Sequence, residues 1–278
     1  MKIAGVVVLY NPDSRVQDNI KTYLDGVDVL FAVDNSSCNN RDLFCDEKIV
    51  YIANMENKGI AAALNIAAKR AIKEGYLWIL TMDQDSRFDV GGVEKMTAYL
   101  ESRKDNDKIG LITPYHKTGE NNPDNKEIDS PLVCMTSGNI INLLAFEKIG
   151  GFKEWLFIDS VDFEYCLNLR ENGFDILRLN SVLLNHSLGT KSEKGIGKLK
   201  RQITEHSAAR RYYITRNRLY LNDMYSAIYP DFCKAENKST KKEVLKIILF
   251  EKEKKAKLSA MLKGYKDYKN NVKGKGSF

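Results

Sequence analysis

The stretch that most limits what this chain can fold into is residues 77–82, Leu-Trp-Ile-Leu-Thr-Met, running straight into Asp83-Gln84-Asp85. An almost wholly apolar run without alternation is the pattern of a strand covered on both faces, and such strands belong to parallel sheets packed between helices. Its abrupt polar end matters as much. In open α/β sheets, ligands bind beyond the carboxyl ends of the strands. Two carboxylates two residues apart repel each other unless a cation lies between them, and hard carboxylate oxygens suit Mg2+ or Mn2+. The motif therefore predicts a divalent cation holding a nucleotide diphosphate. The competing expectation is a strand-to-helix turn in which one Asp caps the next helix.

The chain before and after this stretch repeats its grammar. Apolar runs at 3–9, 29–33, 49–53 and 109–113 read as further strands. Between them, Ser14 and Gln17 resemble a capping box opening a helix towards Leu24. Residues 60–73 form an Ala-rich helical stretch opened by Gly59 and closed by Gly75, and 90–101 form another. Strands alternating with helices of this length predict a right-handed, mostly parallel, Rossmann-like sheet flanked by helices. No GxGxxG follows the first strand and no GxxxxGK[ST] occurs anywhere. Dinucleotide-binding dehydrogenases and P-loop nucleotidases are thereby disfavoured.

Polar residues recur at the strand ends: Tyr10 and Asn11 after the first, Asp34 and Asn35 after the second, Asn57 after the third, Asp83 and Asp85 after the fourth. Each alone is an ordinary turn residue. In a parallel sheet they share one edge and can line one cleft. A ring, a carboxylate and amides suit a pyrimidine base, with Tyr10 stacking on it and Asp34 accepting from its ring N–H.

Charge narrows the partners. The net charge of +6 is uneven: from Lys238 onward there are 13 Lys against 4 Asp or Glu. The rest of the chain is slightly acidic, which argues against a nucleic-acid-binding core. Five cysteines without a CxxC pair predict a reducing, cytoplasmic setting and no zinc module. The first apolar run is short and strand-like, so no signal peptide is expected, and no run approaches the roughly 20 residues that span a bilayer.

Tyr10-Asn11-Pro12, Val33-Asp34-Asn35-Ser36, Asn57-Lys58-Gly59 with Ala63-Leu64-Asn65, and Thr81-Met82-Asp83-Gln84-Asp85-Ser86 occur in an order and spacing that resemble family 2 inverting glycosyltransferases of the GT-A fold. More narrowly, TMDQDS, FIDSVDFEYC, NHSLG and YYITRN resemble the bacterial rhamnosyltransferase branch. The resemblance covers residues 1–225. It implies a GT-A domain there, with a nucleotide-binding half at 1–115 and an acceptor and catalytic half at 116–225. Residues 226–278 are left as a basic helical extension. It also implies that Asp83 lies near the donor's ribose and that Asp85 binds the metal bridging its two phosphates. Gly59, Asn65 and Gln84, within the matched motifs, join Tyr10, Asn11, Asp34, Asn35 and Asn57 as nucleotide-sugar-binding candidates.

The middle of the chain changes character. Residues 115–130 form a polar loop. Thr136-Ser137-Gly138-Asn139 is either a place where backbone approaches a sugar or a glycine bulge in an antiparallel strand. Asp159 and Asp162 share a face if their segment is helical, and Gly173 closes that helix. Carboxylates there can also serve only the helix dipole. In the family, the aspartate shortly before a Cys-Leu pair is the catalytic base. Aligning on Cys166-Leu167 places it at Asp162. Many relatives have Glu-Asp where this chain has Val161-Asp162, so Asp159 stays in play. A sugar hydroxyl is a poor nucleophile, and a positioned carboxylate can take its proton as the new anomeric bond forms. A metal at the diphosphate would stabilise the leaving group, and a single displacement inverts the anomeric centre.

His186 follows a strand pattern at 176–184. It is either a hydrogen-bonded structural residue or, by the resemblance, a further metal ligand. Residues 190–200 carry Gly195 and Gly197 amid charge, the makings of a lid. Beyond Arg201 the pattern is helical. Arg210 and Arg211, with Arg216 and Arg218, suit the phosphates of the donor or of a pyrophosphate-linked acceptor, or else form a solvated basic face. The tail reads as a basic amphipathic helix for a membrane surface or as a helix docked on the domain with its end frayed from Tyr268.

The expectation is thus a Mn2+- or Mg2+-dependent inverting glycosyltransferase at the cytoplasmic face of a bacterial membrane. It would move rhamnose from a dTDP donor to a growing surface polysaccharide, on a glycan or lipid-linked glycan acceptor. The alternatives are galactosyl or glucosyl transfer from a UDP-sugar, and a catalytically silent nucleotide-sugar-binding subunit of an assembly complex.

Overall fold

The computed structural model describes residues 1–117, 126–186, 191–194 and 201–277, the side chains of 186, 191–194 and 201–204 excepted. The chain forms two compact units, one of Met1–Glu154 and Asp162–Ser187, the other of Trp155–Val161 and Leu188–Phe278.

The first unit opens with β1 (Ala4–Leu9), α1 (Arg15–Ile20), β2 (Val29–Asp34), β3 (Ile49–Ala53), α2 (Ile60–Lys73) and β4 (Trp78–Asp83). It continues through β5 (Ser86–Phe88), α3 (Gly92–Ser102), β6 (Ile109–Lys117), β7 (Ile128–Asp129), β8 (Asn139–Asn142), α4 (Leu143–Ile149), α5 (Val161–Glu171) and β9 (Asp175–His186). The strands form one sheet in the order β3-β2-β1-β4-β8-β6-β9-β5, with β7 paired to β9. Six of these nine strands share a direction, while β5, β7 and β8 oppose it.

Alternation builds two apolar faces from one strand set. Val7 and Leu9 of β1 and Leu30 and Ala32 of β2 join Val16 and Ile20 of α1 and Val93, Met96 and Leu100 of α3 in one core cluster. The buried alanine face of α2 has no member in that cluster. It packs on β1, β2 and β4, and so covers the other side. The sheet is thus the mostly parallel α/β sheet expected from the alternating pattern. The expected strand–helix run missed β5, a three-residue return after the Asp83-Gln84-Asp85 motif that pairs with β9. Three residues are too few to carry a period.

Two local expectations fail for identifiable reasons. Helix α1 stops at Ile20, and Ser14 makes no side-chain cap because its own backbone is already helical (φ −60°, ψ −20°). Gln17 turns away from the cap and donates to the Leu43 carbonyl at 2.7 Å. In the polar loop, β6 continues to Lys117, and residues 118–125 lie outside the described residues. So does most of the 190–200 stretch read as a lid; its start, β10 (Lys191–Lys194), pairs antiparallel with β11 (Arg201–Thr204).

The second unit adds α6 (Ala208–Tyr225), α7 (Pro230–Phe250) and α8 (Lys254–Lys269). Helix α8 lies close against α6 at Gly264, where a Cβ would sit 2.6 Å from the Tyr212 carbonyl. A buried ion network ties the three helices. Arg211 of α6 meets Glu251 at 2.8 Å and Glu243 of α7 at 3.1 Å, and Lys257 of α8 meets Glu251 at 2.9 Å. Helix α8 is therefore core, and the division at 225/226 does not coincide with either compact unit. Nor is the chain's end frayed. Gly274 N–H donates to the Trp155 carbonyl at 2.7 Å, and Gly276 N–H to the Tyr213 hydroxyl at 2.8 Å. No helix among the described residues is long and apolar enough to cross a membrane.

Candidate active site

Register brings the first candidates together. Ala53 of β3 stands opposite Asp34 of β2, Asp34 opposite Leu9 of β1, and Val8 opposite Asp83 of β4. Four parallel strands thus end in line, with Asp34 and Asp83 two strand spacings, roughly 10 Å, apart. The next residues extend the row. Tyr10 follows β1 and is 53% exposed, a ring offered to solvent at the edge. Asn11 sits at φ 47° with its N–H donating to Ser36 Oγ at 2.7 Å.

Asp34 is bonded through both carboxylate oxygens. One of its oxygens accepts from Ser36 N–H (2.8 Å) and Ser36 Oγ (2.5 Å), the other from Tyr51 Oη (2.6 Å) and Asn40 Nδ2 (2.8 Å). Burial pushes its carboxyl up, but the bonds from Ser36, Tyr51 and Asn40 outweigh it and hold the group below its ordinary value. Burial, then the bond to Asp34, pushes the Tyr51 phenol up to about 12. With four donors in place, Asp34 shapes the loop after β2. Ser36 stood in the quoted motif, but Asn40 and Tyr51 are residues that sequence reasoning missed, and Tyr51 sits mid-strand with no local signal at all.

The amides follow the same logic. Asn35 is buried, donates to the Gly59 carbonyl at 3.1 Å and accepts from Asn54 at 2.9 Å. Asn57 accepts from Gly59 N–H at 2.9 Å. Gly59 itself has φ 86° and ψ 162°, a region open essentially to glycine alone, and so turns the chain into α2. Asn65 is placed differently from these. Its amide donates to the Phe152 carbonyl (2.9 Å) and Glu154 (2.8 Å) and accepts from Phe152 N–H (3.0 Å). It is buried, and it ties α2 to the segment before residue 155.

Asp83 ends β4, and Gln84-Asp85 form the turn into β5. The side chain of Gln84 is a brace: it accepts from Tyr10 N–H at 2.9 Å and donates to the Tyr10 carbonyl at 3.2 Å. Asp83 N–H donates to Ser137 Oγ at 3.0 Å, and Gly138 N–H to the Thr81 carbonyl at 2.6 Å. The Thr136-Ser137-Gly138-Asn139 segment thus buttresses the end of β4. Asp85 is exposed at the tip of the turn. In the β5–β9 pairing the backbone of His186 stands opposite Ser86, one residue past Asp85, although the His186 side chain lies outside the described set. No cluster of three His, Cys, Asp or Glu occurs among the described residues. An exposed carboxylate beside a second one on a braced turn still offers the hard oxygens a divalent cation takes.

In the first turn of α5, Asp162 accepts from Phe163 N–H at 3.0 Å. Within the second unit, Arg210 of α6 grips both oxygens of Asp159. Arg211 is enclosed in the ion network described above, its guanidinium 1% exposed. The helical unit therefore uses both arginines internally.

Three comparisons bear on this arrangement. A sequence profile described as "Glycosyl transferase family 2" matches residues 6–157. Over 242 residues the chain is 30% identical to the dTDP-rhamnosyl transferase RfbF of Shigella flexneri, covering 79% of each chain. Among solved structures, S. aureus TarS 1-349 in complex with UDP-GlcNAc superposes with a TM-score of 0.63 at 12% identity, covering 98% of this chain and 82% of that one. GalNAc-T7 with UDP, GalNAc and Mn2+ gives 0.56 at 12% identity, covering 67% of this chain and 44% of that one. At such identities the structural likeness concerns the fold.

Proposed function

The chain belongs to glycosyl transferase family 2 and is a glycosyltransferase of GT-A fold; on that premise we propose that it moves rhamnose from a dTDP donor by metal-dependent inverting transfer. The observation that carries the reading is the shared strand-end edge of Tyr10, Asp34, Asp83 and Asp85, joined to the 30% identity with a dTDP-rhamnosyl transferase.

In this reading Tyr10 stacks on the base and the Asp34 loop frames it. Asp83 faces the ribose. Asp85 and His186 would hold Mn2+ or Mg2+, and the ion would offset the charge on the departing nucleoside diphosphate. Asp162 takes the proton of the acceptor hydroxyl while that oxygen bonds to the anomeric carbon and the bond to the diphosphate breaks. Asp162 is preferred to Asp159 because both oxygens of the Asp159 carboxylate are already engaged by Arg210. The acceptor is a growing bacterial surface glycan.

A membrane-borne acceptor is favoured by α7. Lys238, Lys241, Lys242, Leu245, Ile248 and Leu249 fall on one exposed helical face, while Glu236 and Glu243 turn inward to arginines. Lysines beside apolar residues suit an anionic leaflet. Changing the three lysines to Glu should abolish co-sedimentation with anionic vesicles at low salt and leave donor hydrolysis intact; undiminished sedimentation would remove the membrane from the account.

The deciding experiment is a donor panel. With Mn2+, release of nucleoside diphosphate from dTDP-rhamnose should exceed release from UDP-galactose or UDP-glucose. Preference for a UDP-sugar would move the donor, and no release from any would favour a silent binding subunit.

A further inference from the structure

Residues 156–160, Leu-Phe-Ile-Asp-Ser, are wound against their preference. Phe157, Asp159 and Ser160 have φ of 67°, 62° and 64°, left-handed values that side chains other than glycine disfavour. Such a cluster persists only where its surroundings dictate it. Here they come from one side of α6. Asn217, fully buried, directs its amide nitrogen at three carbonyls, those of Leu156 (2.9 Å), Ile158 (2.8 Å) and Asp159 (2.9 Å). Its oxygen accepts from Arg216 Nε at 3.0 Å, which sets which way the amide faces. Arg216 in turn reaches the carbonyls of Trp155 (3.4 Å), Leu156 (3.3 Å) and Gly274 (2.7 Å), with its cation over the rings of Tyr212 and Tyr213. Arg210 holds the Asp159 carboxylate, and Phe157 stacks on Tyr213 at 5.2 Å. Residues 210, 213 and 217 lie at the spacing of one helix face.

We propose that Asn217, oriented by Arg216, is a positioning residue for transfer: it holds the chain in the path that puts Phe157, Asp159 and Ser160 in the left-handed region and so fixes where the chain enters α5, two residues before Asp162. This rests on the reading of Asp162 as the base. An asparagine is suited to the task because only an amide offers two donors to a row of carbonyls and an acceptor to be aimed by. Aspartate has the shape and no donor.

The test uses the full chain, with Asp162→Asn as the reference for the function itself. If Asp162→Asn transfers normally, the base assignment has failed, whatever Asn217 does. If it is inert as expected, Asn217→Asp and Asn217→Ala should lower kcat for transfer about tenfold or more, with donor KM within about twofold of wild type, and displace the acidic limb of the pH–rate profile. A merely structural residue would alter Tm and the amount of active protein and leave that limb in place. The strain gives a second readout. Ser160→Gly should raise Tm by about 2–4 °C in the otherwise native chain and by nothing measurable in Asn217→Ala, where residue 160 is no longer held left-handed. If Asn217→Ala does not fold, Arg216→Lys takes its place in both assays, since it removes the Nε–H that aims the amide and keeps the charge over the rings. Unchanged kcat and pH limb, or a Ser160→Gly gain equal in both backgrounds, overturns the proposal.

Discussion

The strand-end edge and the α6–α8 unit hold their polar groups in opposite ways. At the edge, position comes from the backbone. Parallel register brings Asp34 and Asp83 into line, short turn bonds fix the loops, and the chemically useful tips, Tyr10 and Asp85, are exposed to solvent. In the helical unit, position comes from side chains closing on one another. Arg211, Arg216, Asn217, Glu251 and Lys257 are buried and mutually bonded. Chemistry should therefore be lost at the edge without loss of fold, and fold should be lost in the helices without specific loss of donor binding.

The largest expected effect is at the edge. Asp85→Ala should lower metal-stimulated transfer by about three orders of magnitude, with Tm unchanged because the side chain is exposed. A Tm drop as large as that from a buried substitution would erase the contrast. The opposite break is Glu251→Gln, which takes from the buried Arg211 and Lys257 one of the two carboxylates that each of them meets. It should destabilise the chain by about 3–5 kcal/mol in denaturant titration, while the folded fraction binds nucleotide as the wild type does.

Between these lies Asp162→Asn, which keeps shape and loses basicity. Transfer should fall about a hundredfold with donor affinity retained. If Asp159→Asn shows that signature and Asp162→Asn is mild, the base is Asp159.

The smallest effect sharpens the edge itself. The folded Asp34 carboxyl lies below its ordinary value, so its contribution to stability is present above the unfolded pKa and lost as pH falls through the folded one. Tyr51→Phe removes one of the bonds that hold it down, so the folded pKa should rise and the loss should be smaller and complete at a higher pH. Tm at neutral pH should drop by an amount equivalent to about 1–2 kcal/mol. An acid limb that stays where it was would mean Tyr51 does not set the charge state of Asp34.

The same contrast explains what was legible in the sequence. The edge candidates were readable because each strand announces itself by an unbroken apolar run and ends on a polar residue. Parallel pairing then aligns those ends without any further information. What held them was not readable. Tyr51 reaches Asp34 across 17 residues, and Ser137 reaches Asp83 across 54. The helical unit hid more. Arg216 joins segments 58 to 61 residues away, an internal clamp within a run of arginines that the sequence offered only as a phosphate site or a solvated basic face. The lysine-rich tail looked separable because three of its four acids, Glu243, Glu251 and Asp267, gave no hint that each meets a basic or phenolic group inside.

The central claim is that the strand-end edge is a metal-assisted seat for a nucleoside diphosphate. Calorimetric titration of dTDP into the wild type and Asp85→Ala, each with and without Mn2+, tests it most directly. The account predicts that Mn2+ tightens dTDP binding to the wild type at least tenfold and does nothing for Asp85→Ala, whose affinity matches that of the metal-free wild type. Equal tightening by Mn2+ in both proteins would contradict it.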